Sequence, residues 1–395
     1  AAYDYDLQHR TYSWGAGVKY LLSPDAYITA DYQADFFSSR YNFLNASKTY
    51  KTQPGDELVR KRTRNQQANV KGIFNLGERN KVSVGVEYLA DMLSSPTENI
   101  SHKTAYTAAI FAQDEITITR QLRALAGVRY LYHEFFKSYA TPNVALMYGQ
   151  GGLNLRASYA AGFRAPTLSE LYASETTKAV DRITIGNLNL KPEKSDYFSL
   201  NAEYAHSRFT VSTNFFYNRI RDMIDYRTIA TGEEAKQKYG HEEVRQRDNV
   251  YKAEVRGINV AAQAYLGAGF RIGAGYTHLD TKDDETGRPI DKSLRNAANV
   301  NAQWTRTWGG YTMNVYLNGR INSERFSKTY GYAPAYQVWD LNTRHTFSLR
   351  SVILEPGVGI ENLFNYTDDR PYNFNYATLT PGRSVYVSLS IKFRG

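Results

Sequence analysis

Apolar and polar residues alternate along this chain in runs far longer than an ordinary strand. Near the C-terminal end Val385, Val387, Leu389, Ile391 and Phe393 point one way, and Tyr386, Ser388, Ser390 and Lys392 the other. Successive side chains of an extended strand point to opposite faces, so this period places one face in an apolar medium and the other in water. Upstream, Ala26, Ile28, Ala30, Tyr32, Ala34 and Phe36 alternate with Tyr27, Thr29, Asp31, Gln33 and Asp35. Val82, Val84, Val86 and Tyr88 alternate with Ser83, Gly85 and Glu87, and Met313, Val315 and Leu317 with Thr312, Asn314, Tyr316, Asn318 and Arg320. A soluble antiparallel β protein alternates too, and period alone does not say which face is inside. Length decides: the runs cover about 10 to 16 residues, against roughly 5 or 6 in globular proteins. About 9 to 11 tilted residues suffice to cross a bilayer core.

The connections point the same way. Ser23-Pro24-Asp25, Gly77-Glu78-Arg79-Asn80, Gly149-Gln150-Gly151, Gly267-Ala268-Gly269 and Trp308-Gly309-Gly310 are tight turns. Long polar loops are expected at 42–62, 93–104, 163–194, 227–248, 281–295 and 365–382. Short turns on one side and long loops on the other predict an all-β, transmembrane antiparallel β-barrel with its short side periplasmic. About 17 strands are expected, the first near 12–22 and the last near 383–393. An odd count would leave the first and last strands parallel, which predicts that further N-terminal sequence precedes Ala1 and that Ala1 to Arg10 lies in an outer loop.

Mean hydropathy is −0.54, and no stretch approaches the roughly 20 apolar residues of a membrane helix. The 33 Tyr and 18 Phe suit the aromatic girdles of a barrel. The sequence has no Cys, which removes disulfides and thiolate metal sites and fits an oxidising compartment. No signal peptide opens it, as expected of a mature or truncated chain. The net charge is +9. Its densest cluster, Arg60, Lys61, Arg62 and Arg64, reads as part of a surface loop, so lipid phosphates or an anionic ligand are the expected partners and nucleic acid is not. Asp31, Gln33, Asp35, Arg123, Arg129, Asn299, Asn301, Gln303, Asn314 and Arg320 fall on the polar face. That set is too polar for a packed core and predicts a water-lined interior. Ser, His and Asp are scattered without a strained nucleophile turn, so no enzyme is expected.

Residues 162–172 read Gly-Phe-Arg-Ala-Pro-Thr-Leu-Ser-Glu-Leu-Tyr, and residues 186–195 read Gly-Asn-Leu-Asn-Leu-Lys-Pro-Glu-Lys-Ser. The pair resembles the FRAP/NPNL signature of TonB-dependent outer-membrane receptors, with Leu188 where the family usually has Pro. Glu361-Asn362-Leu363-Phe364-Asn365 resembles the segment before their last loop, and Phe111-Ala112-Gln113-Asp114-Glu115 a mid-barrel strand. Val385 to Phe393 resembles the terminal strand read by the barrel-assembly machinery, which would make Tyr386 and Phe393 part of an assembly signal; Arg394 and Gly395 follow the usual ending. The resemblance implies a bacterial outer-membrane location and a barrel of roughly 22 strands around an N-terminal plug. Residues 1–395 would then be a partial barrel, roughly its sixth to twenty-second strands, with no plug domain in the sequence. It also implies TonB-energised uptake of a scarce iron complex, haem or siderophore. A cobalamin receptor, a passive porin and a structural barrel subunit stay open as alternatives. Implied partners are the TonB complex, reached through an N-terminal region, the barrel-assembly machinery, lipopolysaccharide and a surface lipoprotein.

Within the motif loop Arg164 offers a planar donor fork for a carboxylate, and Pro166 stiffens the strand exit. Asn187 and Asn189 can close the return turn on their own backbone. The stretch Thr167–Gly186 has no His, but Tyr can ligate haem iron and Tyr172 lies there. His102 and His241, in expected loops, and His133, expected on the inner face near the outer rim, are the other candidate haem or metal ligands; His9 also falls in an expected loop. Asp280, Asp283, Asp284 and Glu285 could gather around Ca²⁺, although an EF-hand's Gly and terminal Glu are missing. No cofactor is required by this reading; the bound ligand would be haem or a ferric siderophore.

Overall fold

The computed structural model describes residues 5–46, 51–177, 181–283, 287–291, 293–327, 331–367 and 381–393. Its strands are β1 (Tyr5–Ser23), β2 (Ala26–Phe43), β3 (Glu57–Leu76), β4 (Asn80–Ser95), β5 (Ile100–Thr117), β6 (Leu122–His133), β7 (Lys137–Gln150) and β8 (Leu153–Arg164). A helix α1 (Leu168–Tyr172) and two short strands, β9 (Ser174–Thr177) and β10 (Arg182–Ile185), follow. Next come β11 (Glu193–His206), β12 (Phe209–Thr231), helix α2 (Gly232–Tyr239), β13 (Glu243–Gly267), β14 (Phe270–Asp283), β15 (Asn296–Trp308) and β16 (Tyr311–Asn322). The chain ends with the short β17 (Arg325–Ser327) and β18 (Gly331–Ala333), then β19 (Tyr336–Ser348), β20 (Val352–Glu361) and β21 (Ser384–Phe393). Setting aside the four short strands, the long strands among the described residues match, one for one, those expected from the alternation.

Two compact units result. The first comprises Ala1–Leu146, Tyr159–Asp196 and Ile220–Lys252; the second comprises Met147–Ser158, Tyr197–Arg219 and Ala253–Gly395. In the first unit β1 to β6 form an antiparallel ladder of sequential neighbours. Partners directly opposite share a face, so the register sorts residues into rows. Val18, Ala30, Val70, Val86, Ile110 and Tyr130 form one row, and Ile110 is 58% exposed on it. On the other face Asp31, Asn69 and Glu87 line up, and Arg129 pairs with Glu87. Burial concentrates at the loop end, where Leu93, Ile100 and Ala105 pack against Leu168 of α1.

In the second unit β13, β14, β15, β16, β19, β20 and β21 pair in that order. Asn299 opposes Arg320, Asn301 opposes Asn318 and Gln303 opposes Tyr316, so the expected polar set shares one face. Val385, Val387, Leu389 and Ile391 oppose Ile360, Val358, Pro356 and Leu354 on the apolar face, with Val387 77% exposed. On the polar face the Tyr386 hydroxyl donates to Asn342 Oδ1 at 2.8 Å, and Lys392 pairs with Glu355 at 2.6 Å. Phe393 opposes Val352 on the apolar face and is 81% exposed. The turn Gly267-Ala268-Gly269 has φ of 86°, 49° and 86°, a left-handed run that two glycines make tolerable.

The strands overrun the expected loops. β1 starts at Tyr5, so His9 and Arg10 are strand residues rather than loop residues. β3 starts at Glu57, which puts the Arg60–Arg64 cluster on a strand and splits it between two faces. The 93–104 loop shrinks to the short turn between Ser95 and Ile100, and His102 moves onto β5. β12 has 23 residues and β13 has 25, close to 80 Å of strand for the latter at about 3.3 Å per residue. The apolar band of a barrel is only about 25 Å tall. Above it both faces are wet, the alternation fades, and hydropathy loses a strand whose hydrogen-bond ladder continues. Asp284, Glu285, Arg394, Gly395 and residues 368–380 of the last expected loop lie outside the described residues.

The apolar row of β21 faces lipid, so Val387→Arg should cost roughly 2–4 kcal/mol at the bilayer midplane. The heat-modifiable folded form in outer membranes should fall sharply; assembly at normal yield would reverse the facing assigned to β21.

Candidate functional site

The loop that leaves β8 folds into α1 because its sequence caps it. Thr167 accepts from the Glu170 N–H at 3.2 Å, and the Glu170 carboxylate takes the Thr167 N–H at 2.8 Å, a reciprocal capping box. Arg164, the last residue of β8, completes the arrangement. Its Nε donates to Glu193 Oε2 at 2.8 Å, its Nη2 lies 2.5 Å from Glu193 Oε1, and its Nη1 lies 3.0 Å from Glu170 Oε2. One guanidinium thus ties the end of β8, the cap of α1 and the start of β11. The hydrogen bonds to Glu193, then those to Glu170, hold its charge more firmly than an ordinary arginine's. Burial pushes the Glu170 carboxyl up, but the Arg164 and Thr167 hydrogen bonds outweigh it and leave the group below its ordinary 4.5.

Other contacts dock α1 on its neighbours. Ser169 Oγ donates to Glu98 Oε2 at 2.5 Å, and Lys61 sits 3.6 Å from the same carboxylate. Asn99 Nδ2 donates to the Ser174 carbonyl at 2.9 Å. On the return, the Gly186 N–H reaches Ala173 O at 2.6 Å and the Asn187 N–H reaches Glu170 O at 3.0 Å. A Cβ on Gly186 would sit 2.6 Å from the Leu171 backbone, so only glycine fits there. Asn187 Oδ1 accepts from the Asn189 N–H at 2.9 Å, the expected Asx closure; the closing side chain is Asn187's. Asn249, which no motif flagged, clamps the far end. Its side chain donates to Lys191 O at 2.9 Å and to Asp222 O at 2.6 Å, and accepts from the Lys191 N–H at 2.8 Å.

The loop after β12 joins the same assembly. β10 pairs in parallel with β13, Arg182 opposite Glu243 through Ile185 opposite Gln246. Beside that pairing His241 Nδ1 lies 2.9 Å from Asp181 Oδ1, and the Glu242 N–H donates to Asp181 O at 2.9 Å. The hydrogen bond to His241 is the main cause holding Asp181 below the usual carboxylate range.

Beneath α1 opens a cavity of about 870 Å³ whose lining includes Asn65, Asp91, Arg129, His133, Arg164 and Pro166. It gathers Arg129, His133, Arg164 and Pro166 from the residues singled out in the sequence. His133 is 6% exposed and packs against Phe135 and Phe136, with ring centroids at 5.8 and 5.0 Å. Its Nδ1 accepts the Phe135 N–H at 3.2 Å, which puts the ring proton on Nε2. Tyr172 is half-buried beside the cavity, with Lys103 Nζ 4.4 Å above its ring and Phe135 at 6.5 Å. His102 is exposed on the opposite face of β5, and His241 belongs to the Asp181 pair. Among the acidic candidates, Asp280 is paired with Arg256 at 2.7 Å and Asp283 is buried.

Arg164→Ala would leave Glu170 and Glu193 partly buried without their cation, a loss of about 1–2 kcal/mol of local loop stability after solvent screening. Limited proteolysis on intact cells should then cut within residues 165–194 faster than in the parent; equal rates would show that Arg164 does not hold the loop. The clamp also carries a pH signature. Because the folded Glu170 value is depressed, its contribution is present at neutral pH and lost as pH falls through that value, below 4.5. In the parent, cleavage should therefore rise only in that acid window.

Residues 1–363 match the profile of the TonB dependent receptor-like β-barrel family. The fold is similar to a mutant ferric enterobactin receptor from Pseudomonas aeruginosa, with a TM-score of 0.79 at 19% identity over 98% of this chain and 62% of that one. It is similar to a siderophore receptor from Acinetobacter baumannii, with a TM-score of 0.76 at 15% identity over 98% of this chain and 62% of that one. A 120-residue stretch, 29% of this chain, is 29% identical to a probable hemoglobin and hemoglobin-haptoglobin-binding protein from Haemophilus influenzae and covers 12% of it. The chain thus spans under two thirds of the length of these proteins. Long alternating strands, a polar inner face, the FRAP-type clamp and the profile match agree: the chain belongs to the TonB dependent receptor-like β-barrel family of the bacterial outer membrane.

Proposed function

We propose that this barrel serves TonB-energised uptake of an iron complex of the siderophore class. The observation that carries the reading is the clamped α1 loop over a cavity of about 870 Å³ on the polar face, in a chain whose fold matches receptors named for ferric enterobactin and siderophores. A preformed site binds with less ordering cost than a floppy loop, and the clamp supplies that order. Arg164 acts here by holding the loop, since its donors already serve Glu170 and Glu193. Pro166 lines the cavity, while Asn187 shapes the return and Tyr172, the last residue of α1, packs against the cluster of Leu93, Ile100, Ala105 and Leu168.

Haem is the second reading, favoured by the haemoglobin-binding relative. The imidazoles weigh against it. His133 spends Nδ1 on a backbone N–H, whereas a haem ligand bonding through Nε2 keeps its proton on Nδ1. His102 faces away, and His241 is engaged by Asp181. Coupling to TonB, a barrel-assembly signal at Tyr386 and Phe393, and a surface lipoprotein belong to the same proposal.

Deleting the gene in its native host should abolish growth on ferric siderophores under iron restriction and leave growth on haem intact; a plasmid copy should restore it. Whole-cell affinity, normalised to surface receptor, should fall about tenfold for Arg164→Ala, the cost of roughly 1.4 kcal/mol. Loss of cobalamin-dependent growth with all iron sources unaffected would overturn the proposal.

A further inference from the structure

The cavity beneath α1 carries a charge opposite to that of the whole chain. The sequence is basic, with a net charge of +9, yet every lysine and arginine lining this cavity has a carboxylate partner. Lys61 stands 3.6 Å from Glu98, Arg129 pairs with Glu87, and Arg164 bridges Glu170 and Glu193. His133 aside, the remaining ionisable side chain of the lining is Asp91. It is half-buried, and among the described residues no hydrogen-bond or ion-pair partner reaches its carboxylate. Three cations thus meet five carboxylates, and the one unanswered charge is negative.

The ladder explains why nothing answers it. Asp91 stands on the polar face of β4, opposite Asn65 of β3 and Ala105 of β5. Two residues further along β4, Leu93 packs against Leu168 of α1, so Asp91 lies in the row directly below the clamped loop. Neither cross-strand neighbour is a cation, and Arg129 is committed to Glu87, two rows nearer the turn end. A carboxylate partly withdrawn from water is costly until a donor or a cation meets it. The rest of the cavity is that of a ligand pocket, an apolar wall with a few polar groups. Leu131, Phe163 and Leu168 belong to the wall, and the side chains of Asn65 and Thr107 make no hydrogen bond among the described residues. His133 keeps its proton on Nε2. Two strands across from Asp91 and one row down, it stands roughly 12 Å away by strand spacing and rise.

We propose that Asp91 selects the ligand by charge: the cavity takes an uncharged or cationic ferric chelate that presents an ammonium group to Asp91, and it disfavours polyanionic chelates. The inference rests on the uptake reading above and narrows it. A trianionic complex entering here would meet an unpaired carboxylate and cations already neutralised, and like charges repel strongly in a partly desolvated site. An ammonium would instead form a charge-assisted hydrogen bond with Asp91, while Asn65, Thr107 and the His133 Nε2–H supply donors for the oxygens of the chelate. The charge of the whole chain points to an anionic ligand; the charges at this cavity point the other way.

Three ferric chelates test this on the full-length receptor in outer-membrane preparations, with saturable quenching of protein fluorescence as the readout. They are a trihydroxamate with one free terminal amine, the same trihydroxamate with that amine acetylated, and a tricatecholate. The amine form should bind about tenfold more tightly than the acetylated form, the scale of one hydrogen bond to a charged group, and the tricatecholate should bind weakest. Asp91→Asn should bring the two trihydroxamates within about twofold of each other and strengthen tricatecholate binding, whereas Asp91→Glu should keep the preference. Should Asp91→Asn fail to assemble, the three affinities of the parent still decide. Equal binding of the amine and acetylated forms, or tightest binding of the tricatecholate, overturns the inference and leaves the siderophore reading standing. So does a uniform loss across all three chelates in assembled Asp91→Asn receptor, which would make Asp91 a support for the protein's own packing. If the parent binds none of the three, the siderophore reading falls and takes this inference with it.

Discussion

A lipid bilayer offers a backbone N–H or C=O no hydrogen-bond partner, and each unpaired group costs several kcal/mol there. That constraint dictates the ladder, and the ladder dictates nearly everything else. Because neighbouring strands are fully paired, their register is fixed, and with it the rows that put Asn299 beside Arg320 on one face and Val358 beside Val387 on the other. The ladder does not stop where the lipid does. β12 and β13 continue well past the apolar band, and their free ends become the scaffold on which α1, α2, β9 and β10 are built. A membrane requirement thus supplies a rigid platform in water.

The parts of the fold legible in the sequence are those where two media meet across a strand. Every long strand was visible because lipid on one side and water on the other write a period of two into the residues. The overruns at Tyr5, Glu57, Ile100 and Glu243 were illegible because water on both sides erases that period while the hydrogen bonds persist. The basic cluster was misplaced for the same reason: Arg60 to Arg64 looks like a loop until β2 and β4 are set beside it.

The candidate site was legible in its residues but not in its wiring. Arg164, Pro166 and Asn187 stand out as a motif, yet the partners that define what Arg164 does lie 6 and 29 positions away. Asn249, 58 positions from Lys191, carries no local signal at all. A guanidinium with a free fork and one already spent on two glutamates are identical in sequence. Only the return of β11 beside β8 distinguishes them, and here it sets the Arg164 guanidinium between Glu170 and Glu193.

The parallel pairing of β10 with β13 has a mechanical consequence. It stitches the segment after β8 to the segment after β12, and the Asp181–His241 contact rivets the seam. Two arms that hang separately on the chain diagram therefore cannot swing separately. A pull on either is transmitted to the other through four consecutive residue pairs, so any displacement of the two arms is the movement of one plate. Such a plate has less conformational freedom to lose on binding than two independent arms would.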